Sequence, residues 1–202
     1  MRETQIDLIR HGEPLGGPRY RGHAIDDPLS AKGWRQMREA VRGLGGWRRI
    51  VSSPLRRCAD FARELAAERR LPLTIEADLR EVGFGAWEGK TKDELRALDA
   101  EAFAAFYRDP VHHRPPGAEP LDTFVARVSD AIDRLAAEQA GEPMLIVAHA
   151  GVLRAALVHA IAAPPACMYR IEVRNAALLR LRARADGCQL AALHNGDLAT
   201  PF

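Results

Sequence analysis

Two histidines in the sequence follow apolar runs that are typical of buried strands. His11 comes after residues 6–9 and Arg10, and His149 comes after residues 144–147 and an alanine. In open α/β sheets, ligands bind outside the carboxyl ends of the strands, so histidines at two such ends could meet in one pocket. A single histidine after a strand is more often structural. Taken alone, the pattern therefore leaves a structural and a catalytic interpretation open.

Arginines follow the first two predicted strands. Arg10 is next to His11, and Arg56 and Arg57 begin a predicted helix after the strand-like residues 50–52. A guanidinium group matches the geometry of a phosphate with paired hydrogen bonds, and helix N-termini favour anions. Arg10 and Arg57 therefore form either a fork for an oxyanion or two ordinary surface arginines, which are abundant in this chain.

The predicted secondary structure around these residues alternates between strands and helices. Strands are predicted at 6–9, 50–52, 73–75 and 144–147, with late strands at 170–173, 177–181 and 189–193. Helices are predicted at 30–44, 53–69, 99–109, 121–140 and 151–161, and a capping box at 91–94 begins another. Ser53 and Pro54 are predicted as the N-cap and first residue of the second helix. The alternation indicates a layered α/β fold, and a hairpin turn at Asp186 and Gly187 indicates that the sheet is not wholly parallel.

Composition narrows the class of protein. The chain has 202 residues, of which 47% are hydrophobic and 28% charged, values typical of one globular domain over residues 1–202. A net charge of +2 gives no basic bias towards nucleic acid. Three scattered cysteines form no disulfide framework or metal motif. The best candidate for a membrane span, residues 151–163, is too short and contains Arg154 and His159. We expect a cytoplasmic protein without nucleic-acid or membrane partners.

Six segments resemble a known family in order. Residues 8–13, Leu-Ile-Arg-His-Gly-Glu, resemble the signature of the histidine phosphatase superfamily, which includes phosphoglycerate mutases. The Arg-His-Gly triplet alone is a weak signal, but six ordered segments between residues 6 and 181 are specific. The other five segments that resemble family motifs are 27–33, 52–57, 79–89, 116–119 and 148–151.

The resemblance implies a three-layer α/β/α sandwich with a mainly parallel sheet and an antiparallel edge. It also implies a small helical lid insertion over the site, which residues 90–120 fit.

The resemblance also assigns roles. His11 would be the nucleophile that takes the phosphoryl group, and Arg10, Arg57 and His149 would bind that group. Glu81 would protonate the leaving oxygen and then activate water. No metal and no cofactor are expected, because positive side chains can stabilise the transferred charge.

These roles place physical demands on the histidines. Histidine attacks only through an unprotonated nitrogen, and the charges of Arg10 and Arg57 disfavour the imidazolium form of His11. The other nitrogen of His11 needs an acceptor, expected to be a backbone carbonyl near Gly12. His149 is expected to be protonated.

Substrate contacts are expected from the loop at Arg21, Gly22 and His23 and from Trp87, although Trp87 also fits a packing role. An aromatic wall could include Tyr20, Phe84, Phe106 and Tyr107. The family usually has threonine at the position of Pro14, and serine and glycine at the positions of Ala148 and Ala150. Phosphate contacts through the threonine and serine hydroxyl groups are therefore not expected here.

Within the superfamily, the compact length, the loop at 20–23 and the segment 32–37 resemble those of α-ribazole phosphatases. The resemblance implies a small phosphorylated substrate, and we expect a monomer or a homodimer. Broad-specificity phosphatases and phosphoglycerate mutases are the alternatives. A non-enzymatic phospho-ligand binder is disfavoured because His11 and Glu81 are present. A metallohydrolase is disfavoured because the histidines lack a ligand spacing.

Overall fold

The computed structural model describes residues 3–184 and 187–196. Its centre is a six-stranded sheet with the strand order β3-β2-β4-β1-β5-β6. The pairs β1–β4, β4–β2 and β2–β3 are parallel, whereas β5 lies antiparallel to β1 and β6 lies antiparallel to β5. The sheet is therefore mainly parallel with an antiparallel edge, as predicted. The strands are β1 (Thr4–Arg10), β2 (Arg49–Ser52), β3 (Leu73–Ile75), β4 (Met144–Ala148), β5 (Leu178–Arg184) and β6 (Gly187–His194).

Helices connect most of the strands, and short 3-10 turns lie at Ala77–Leu79, Gly85–Trp87 and Pro165–Arg170. Within the described ranges, no helix is long and apolar enough to cross a membrane. The helices are α1 (Ala31–Ala40), α2 (Arg56–Arg69), α3 (Lys92–Leu98), α4 (Ala100–Arg108), α5 (Leu121–Glu138) and α6 (Ala150–Ala160).

Alternate residues of the central strands bury into two separate cores, one on each face of the sheet. In β4, Ile146 packs into the core formed with α5 and α6, whereas Leu145 and Val147 pack into the core formed with α1 and α2. Phe124 of α5 is completely buried, which confirms the apolar stripe predicted for that helix. Helices therefore cover both faces, and the three-layer α/β/α prediction is confirmed.

Local capping signals explain where several helices begin. The Ser30 hydroxyl accepts a hydrogen bond from the Gly33 amide at 3.0 Å, and the capping box of Thr91 and Glu94 is complete. The helix predicted to reach residue 44 ends at Ala40, because the chain then turns towards Gly43 with a φ of 72°.

Two predictions about local structure are wrong. The second helix begins at Arg56 with Leu55 as N-cap, and not at Ser53 as predicted. The Ser53 amide continues the sheet by donating to the Val147 carbonyl, and the Ser53 hydroxyl contacts Nε2 of His149. Residues 170–173 form no strand, because arginine side chains take the carbonyls of Ile171 and Val173 that a ladder would need. The predicted turn at Asp186 lies outside the described residues.

Candidate active site

The carboxyl ends of β1, β2 and β4 lie at the same edge of the sheet. The amide of His11 donates to the carbonyl of Ala148 at 2.9 Å, and the amide of Ser53 donates to the carbonyl of Val147 at 3.0 Å. The parallel pairing therefore brings His11, Ser53 and His149 together, although they are far apart in sequence. The rings of His11 and His149 have centroids 5.2 Å apart.

His11 is buried and neutral. Its Nδ1 lies 2.7 Å from the Gly12 carbonyl oxygen and donates to it, which leaves the lone pair on Nε2. Nε2 has no hydrogen-bond partner among the described residues, and the side chain lines a cavity. Burial first, and then the charges of Arg10 and Arg57, hold the pKa of His11 well below its usual 6.5. The predicted carbonyl near Gly12 is confirmed.

Glycine is required at position 12 by a close approach of two chain segments. A Cβ atom at Gly12 would lie 2.3 Å from the Gly33 carbonyl oxygen. This contact packs the turn after β1 against the first turn of α1 and so fixes the acceptor for His11.

Arg10 has a buried donor without a partner. Its Nη1 donates to the Val173 carbonyl at 2.7 Å, but its Nε has no hydrogen-bond partner among the described residues. Burial lowers the pKa of Arg10 to about 10, against the opposing attraction of Glu81. Leaving a buried donor unpaired costs about 1–3 kcal/mol, so this Nε fits a ligand that supplies an acceptor.

Arg57 is fixed in the same cavity by backbone carbonyls. Its Nη1 donates to Ile25 at 2.9 Å and its Nη2 to Gly22 at 2.7 Å, while its Nε donates to Nδ1 of His149 at 3.3 Å. The guanidinium is 1% exposed and takes part in no ion pair in the described part of the chain. Its charge is therefore available to an anion in the cavity.

His149 lies behind Arg57 and does not line the cavity. Because Arg57 can only donate, Nδ1 of His149 is an acceptor and its proton is on Nε2, which donates to the Ser53 hydroxyl at 2.7 Å. Burial and the charge of Arg57 hold the pKa of His149 well below 6.5. The expectation of a protonated His149 is therefore wrong for the site without substrate.

Glu81 faces the same cavity from the loop before the 3-10 turn at Gly85–Trp87. Its carboxylate accepts hydrogen bonds from the amides of Val82 at 3.0 Å and Gly151 at 3.3 Å. A Cβ atom at Gly151 would lie 2.2 Å from Oε1 of Glu81, so the first turn of α6 leaves room for the carboxylate only because this residue is glycine.

The cavity has a volume of about 950 Å³ and extends from the catalytic edge to α3 and α4. Residues predicted to bind substrate divide into two groups. Arg21 and Gly22 line the cavity, and Arg21 is held by Asp27 at 2.8 Å. His23 and Trp87 do not line it; the Nδ1 of His23 lies 3.3 Å from the Glu81 carbonyl oxygen.

Trp87 is a packing residue. Its ring stacks on Phe103 with centroids 5.6 Å apart and contacts Phe106 edge-on at 4.9 Å. The predicted aromatic wall exists in part: Tyr20, Phe84 and Tyr107 line the cavity, whereas Phe106 is completely buried beneath them.

Three further residues belong to the site that sequence reasoning did not assign to it. Ser53 binds His149, and Arg154 and Tyr169 line the cavity, where the Arg154 guanidinium lies 5.7 Å from the Tyr169 ring. Arg154 has a signal in the sequence, because it is the one arginine in the otherwise apolar segment 150–158. Ser53 lies in the family-like segment 52–57, but its contact with His149 depends on strand pairing.

The described residues contain no cluster of three His, Cys, Asp or Glu side chains that could hold a metal ion. The charged residues that line the cavity together with His11 include Arg10, Arg57 and Glu81. A neutral imidazole with a free Nε2 beside a buried arginine, facing a carboxyl group, is an arrangement suited to phosphoryl transfer.

The family model of the histidine phosphatase superfamily (branch 1) matches residues 6–196. The chain therefore belongs to this family.

Relatives of the chain differ in their names and in their lengths. The adenosylcobalamin/alpha-ribazole phosphatase of Escherichia coli is 34% identical over 170 residues, 82% of this chain and 83% of that protein. A bifunctional protein of Mycobacterium tuberculosis is 33% identical over 196 residues, which cover 95% of this chain. This chain spans about half, 54%, of the length of that protein.

Solved structures share the whole fold. The alpha-ribazole phosphatase of Shigella flexneri matches with a TM-score of 0.80 and 30% identity, covering 95% of this chain and 96% of that one. A mycobacterial glucosyl-3-phosphoglycerate phosphatase matches with a TM-score of 0.84 and 25% identity, covering 97% of this chain and 100% of that one. Similar folds therefore accompany different named substrates.

Proposed function

We propose that this protein is a phosphomonoesterase that acts through a phosphohistidine on His11. Nε2 of His11 is free, because the bond from Nδ1 to the Gly12 carbonyl fixes the ring, and among the described residues the Nε of Arg10 is unpaired. One group is a nucleophile and the other is a donor to an oxyanion. Together they fit a phosphate group better than any uncharged ligand.

In the first step, Nε2 of His11 attacks phosphorus while Arg10 and Arg57 hold the equatorial oxygens. The bond from phosphorus to the leaving oxygen breaks, and that oxygen takes a proton from the Glu81 carboxyl. The products are an alcohol and a phosphate covalently bound to Nε2. Charge on the transferred group is stabilised by fixed guanidinium groups, which do not need to reorganise.

In the second step, the Glu81 carboxylate takes a proton from water as the water oxygen attacks phosphorus. The phosphorus–nitrogen bond breaks and its electron pair returns to Nε2. Inorganic phosphate leaves, and His11 and Glu81 regain their starting protonation states. His149 supports both steps by holding Nε of Arg57 and does not itself transfer a proton.

Because arginines supply the positive charge, we expect turnover of 4-nitrophenyl phosphate to survive an excess of chelator. Vanadate is expected to inhibit, since it can occupy the site as a five-coordinate mimic of the transition state. Strong loss with chelator that a divalent cation restores would contradict the proposal.

For the substrate we propose α-ribazole phosphate. Tyr20, Phe84 and Tyr107 give the cavity a wall against which a flat base can pack, and the E. coli and Shigella relatives carry that substrate in their names. Broad specificity is the alternative, favoured by the differing substrates named for relatives of the same fold.

A substrate panel separates these possibilities. We expect kcat/KM for α-ribazole phosphate to exceed the values for ribose 5-phosphate, glucosyl-3-phosphoglycerate and 3-phosphoglycerate. A flat profile would favour a broad-specificity phosphatase, and transfer of phosphate between glycerate positions would favour a mutase. Either result would remove α-ribazole phosphate as the proposed substrate.

A further inference from the structure

One of the six family-like segments, residues 116–119, contributes no group to the chemistry described above. It ends in Glu119, which forms an ion pair with Arg127 of α5. Two oxygen–nitrogen contacts join the side chains, Nε to Oε1 at 2.7 Å and Nη2 to Oε2 at 2.9 Å. The Arg127 and Glu119 side chains are only 12% and 11% exposed. Such a bidentate pair is geometrically specific.

Arg127 uses all five of its N–H donors. Besides the two bonds to Glu119, Nη1 donates to the carbonyls of Asp78 and Arg80, the latter at 3.0 Å. Nη2 also donates to the carbonyl of Glu81 at 3.4 Å. A single guanidinium therefore holds three carbonyls of the segment that leads into and includes Glu81.

Glu119 holds the segment on the other side of Glu81. Its Oε2 accepts from the Gly83 amide at 3.1 Å, and its own amide donates to the Gly83 carbonyl at 3.1 Å. Burial alone would raise the pKa of Glu119, but hydrogen bonds from Arg127 and its charge lower that pKa below the usual range. Glu119 is therefore an anion that fixes the backbone just after Glu81.

We propose that the Glu119–Arg127 pair positions Glu81 for proton transfer to the leaving oxygen. The inference rests on the proposed function, because it assigns a purpose to the placement of Glu81. Neither Glu119 nor Arg127 lines the cavity, so both act through the backbone of residues 78–83. Lysine has three donors on one nitrogen and cannot reproduce the five bonds of Arg127.

The leaving group distinguishes positioning from simple stabilisation. An alkoxide needs a proton as its bond breaks, whereas nitrophenolate does not. If the Glu119–Arg127 pair positions Glu81, loss of the pair must lower kcat selectively for the substrate with the poor leaving group. If it only stabilises the fold, both substrates must be affected to the same extent.

The experiment compares Arg127→Lys, Glu119→Gln and Glu81→Gln on ribose 5-phosphate and 4-nitrophenyl phosphate. We expect each variant to lower kcat for ribose 5-phosphate by about tenfold or more, towards the roughly 10²–10⁴-fold that general acid catalysis contributes, with a much smaller effect on 4-nitrophenyl phosphate. Adding Arg127→Lys to Glu81→Gln is expected to cause no further selective loss. Equal losses on both substrates, or additive selective losses, would overturn the inference.

Arg134→Lys is the matched control. Arg134 lies two turns further along α5, and its side chain is 46% exposed. It pairs at 2.7 Å with Glu76, which precedes the segment 78–83 that Arg127 and Glu119 hold. We expect the ratio of the two kcat values to remain that of the wild type in this variant. Should Arg127→Lys fail to fold, Glu119→Gln carries the test.

Hydrogen exchange tests the positioning without turnover. The amides of Val82 and Gly151 donate to the Glu81 carboxylate, so both are expected to exchange faster in Arg127→Lys and unchanged in Arg134→Lys. Unchanged exchange in Arg127→Lys would overturn the inference. An inactive wild type with this exchange pattern would refute the proposed function and leave the positioning intact.

Discussion

The two histidines of the site have opposite tautomers, and each is fixed by a different kind of neighbour. His11 donates from Nδ1 to a backbone carbonyl, whereas His149 accepts at Nδ1 from Arg57 and donates from Nε2 to Ser53. The first arrangement frees a nucleophilic nitrogen, and the second uses both nitrogens to fix an arginine. The two histidines therefore have different roles, although both follow a strand.

Ser53→Ala tests the second arrangement. The substitution leaves the buried Nε2–H of His149 with only the weak acceptor Sγ of Cys58, at 3.6 Å. This should lower the free energy of unfolding by about 1–3 kcal/mol. It should also lower kcat, because His149 and the Nε of Arg57 lose their orientation. Denaturant unfolding and steady-state kinetics measure the two effects.

Ser52→Ala is the control for that prediction. Its buried hydroxyl donates to the Ser53 carbonyl at 2.9 Å and does not touch His149. We expect lower stability with kcat close to that of the wild type. Equal kcat in the two serine variants would show that Ser53 has no role beyond stability.

The low pKa values of His11 and His149 make stability depend on pH. Between pH 6.5 and the lower pKa values of the folded state, the unfolded chain binds protons on both histidines and the folded protein does not. The free energy of unfolding should therefore fall as pH decreases below 6.5 and level off above it. Urea unfolding from pH 5 to pH 8 measures this, with His11→Asn expected to flatten the slope. A slope unchanged in His11→Asn would contradict the neutral, buried His11.

At the scale of elements, the sequence predicts the strands and helices whose signal is local. The apolar run of β4, the capping box of α3 and the apolar stripe of α5 were all predictable, because each depends on neighbouring residues. The meeting of His11 and His149 was also predictable, since parallel strands share a carboxyl edge.

Features that depend on distant partners could not be predicted. Ser53 looks like a helix cap until β2 pairs with β4 and places its hydroxyl on His149. Residues 170–173 look like a strand, but Arg10 and Arg154 take two of their carbonyls. Arg127 looks like one more polar residue of α5, because nothing local shows which carbonyls it will hold.

A substitution in the first turn of α6 tests the role of Glu81 as the acid. Gly151→Ala would place a Cβ atom against the Glu81 carboxylate, so we expect selective loss of kcat on ribose 5-phosphate, with 4-nitrophenyl phosphate less affected. Gly45→Ala is the control, because a Cβ there meets only Arg69 at 3.7 Å. Wild-type kinetics in Gly151→Ala would remove Glu81 from the role of acid.

Across the whole molecule, apolar residues and candidate catalytic residues occupy different parts of the sheet. Two apolar cores fill the faces of the sheet, while charged groups gather at one edge, where strands end and helices begin. Residues 90–120 contribute Tyr107 of α4 and the charged side chains of Lys92, Asp93 and Arg96 to the cavity lining, so the outer wall carries both aromatic and charged groups. Under the proposed function, the phosphate binds beside His11 and the leaving group extends along the outer wall.

Transfer of phosphate to His11 is the step on which the proposed function depends. Rapid quenching of the wild type with radiolabelled substrate, followed by peptide mass spectrometry, should locate an acid-labile, alkali-stable phosphate on His11. The label should be absent from His11→Ala, which should be folded and inactive. Phosphate on any other residue, or turnover by His11→Ala at the wild-type rate, would contradict the account.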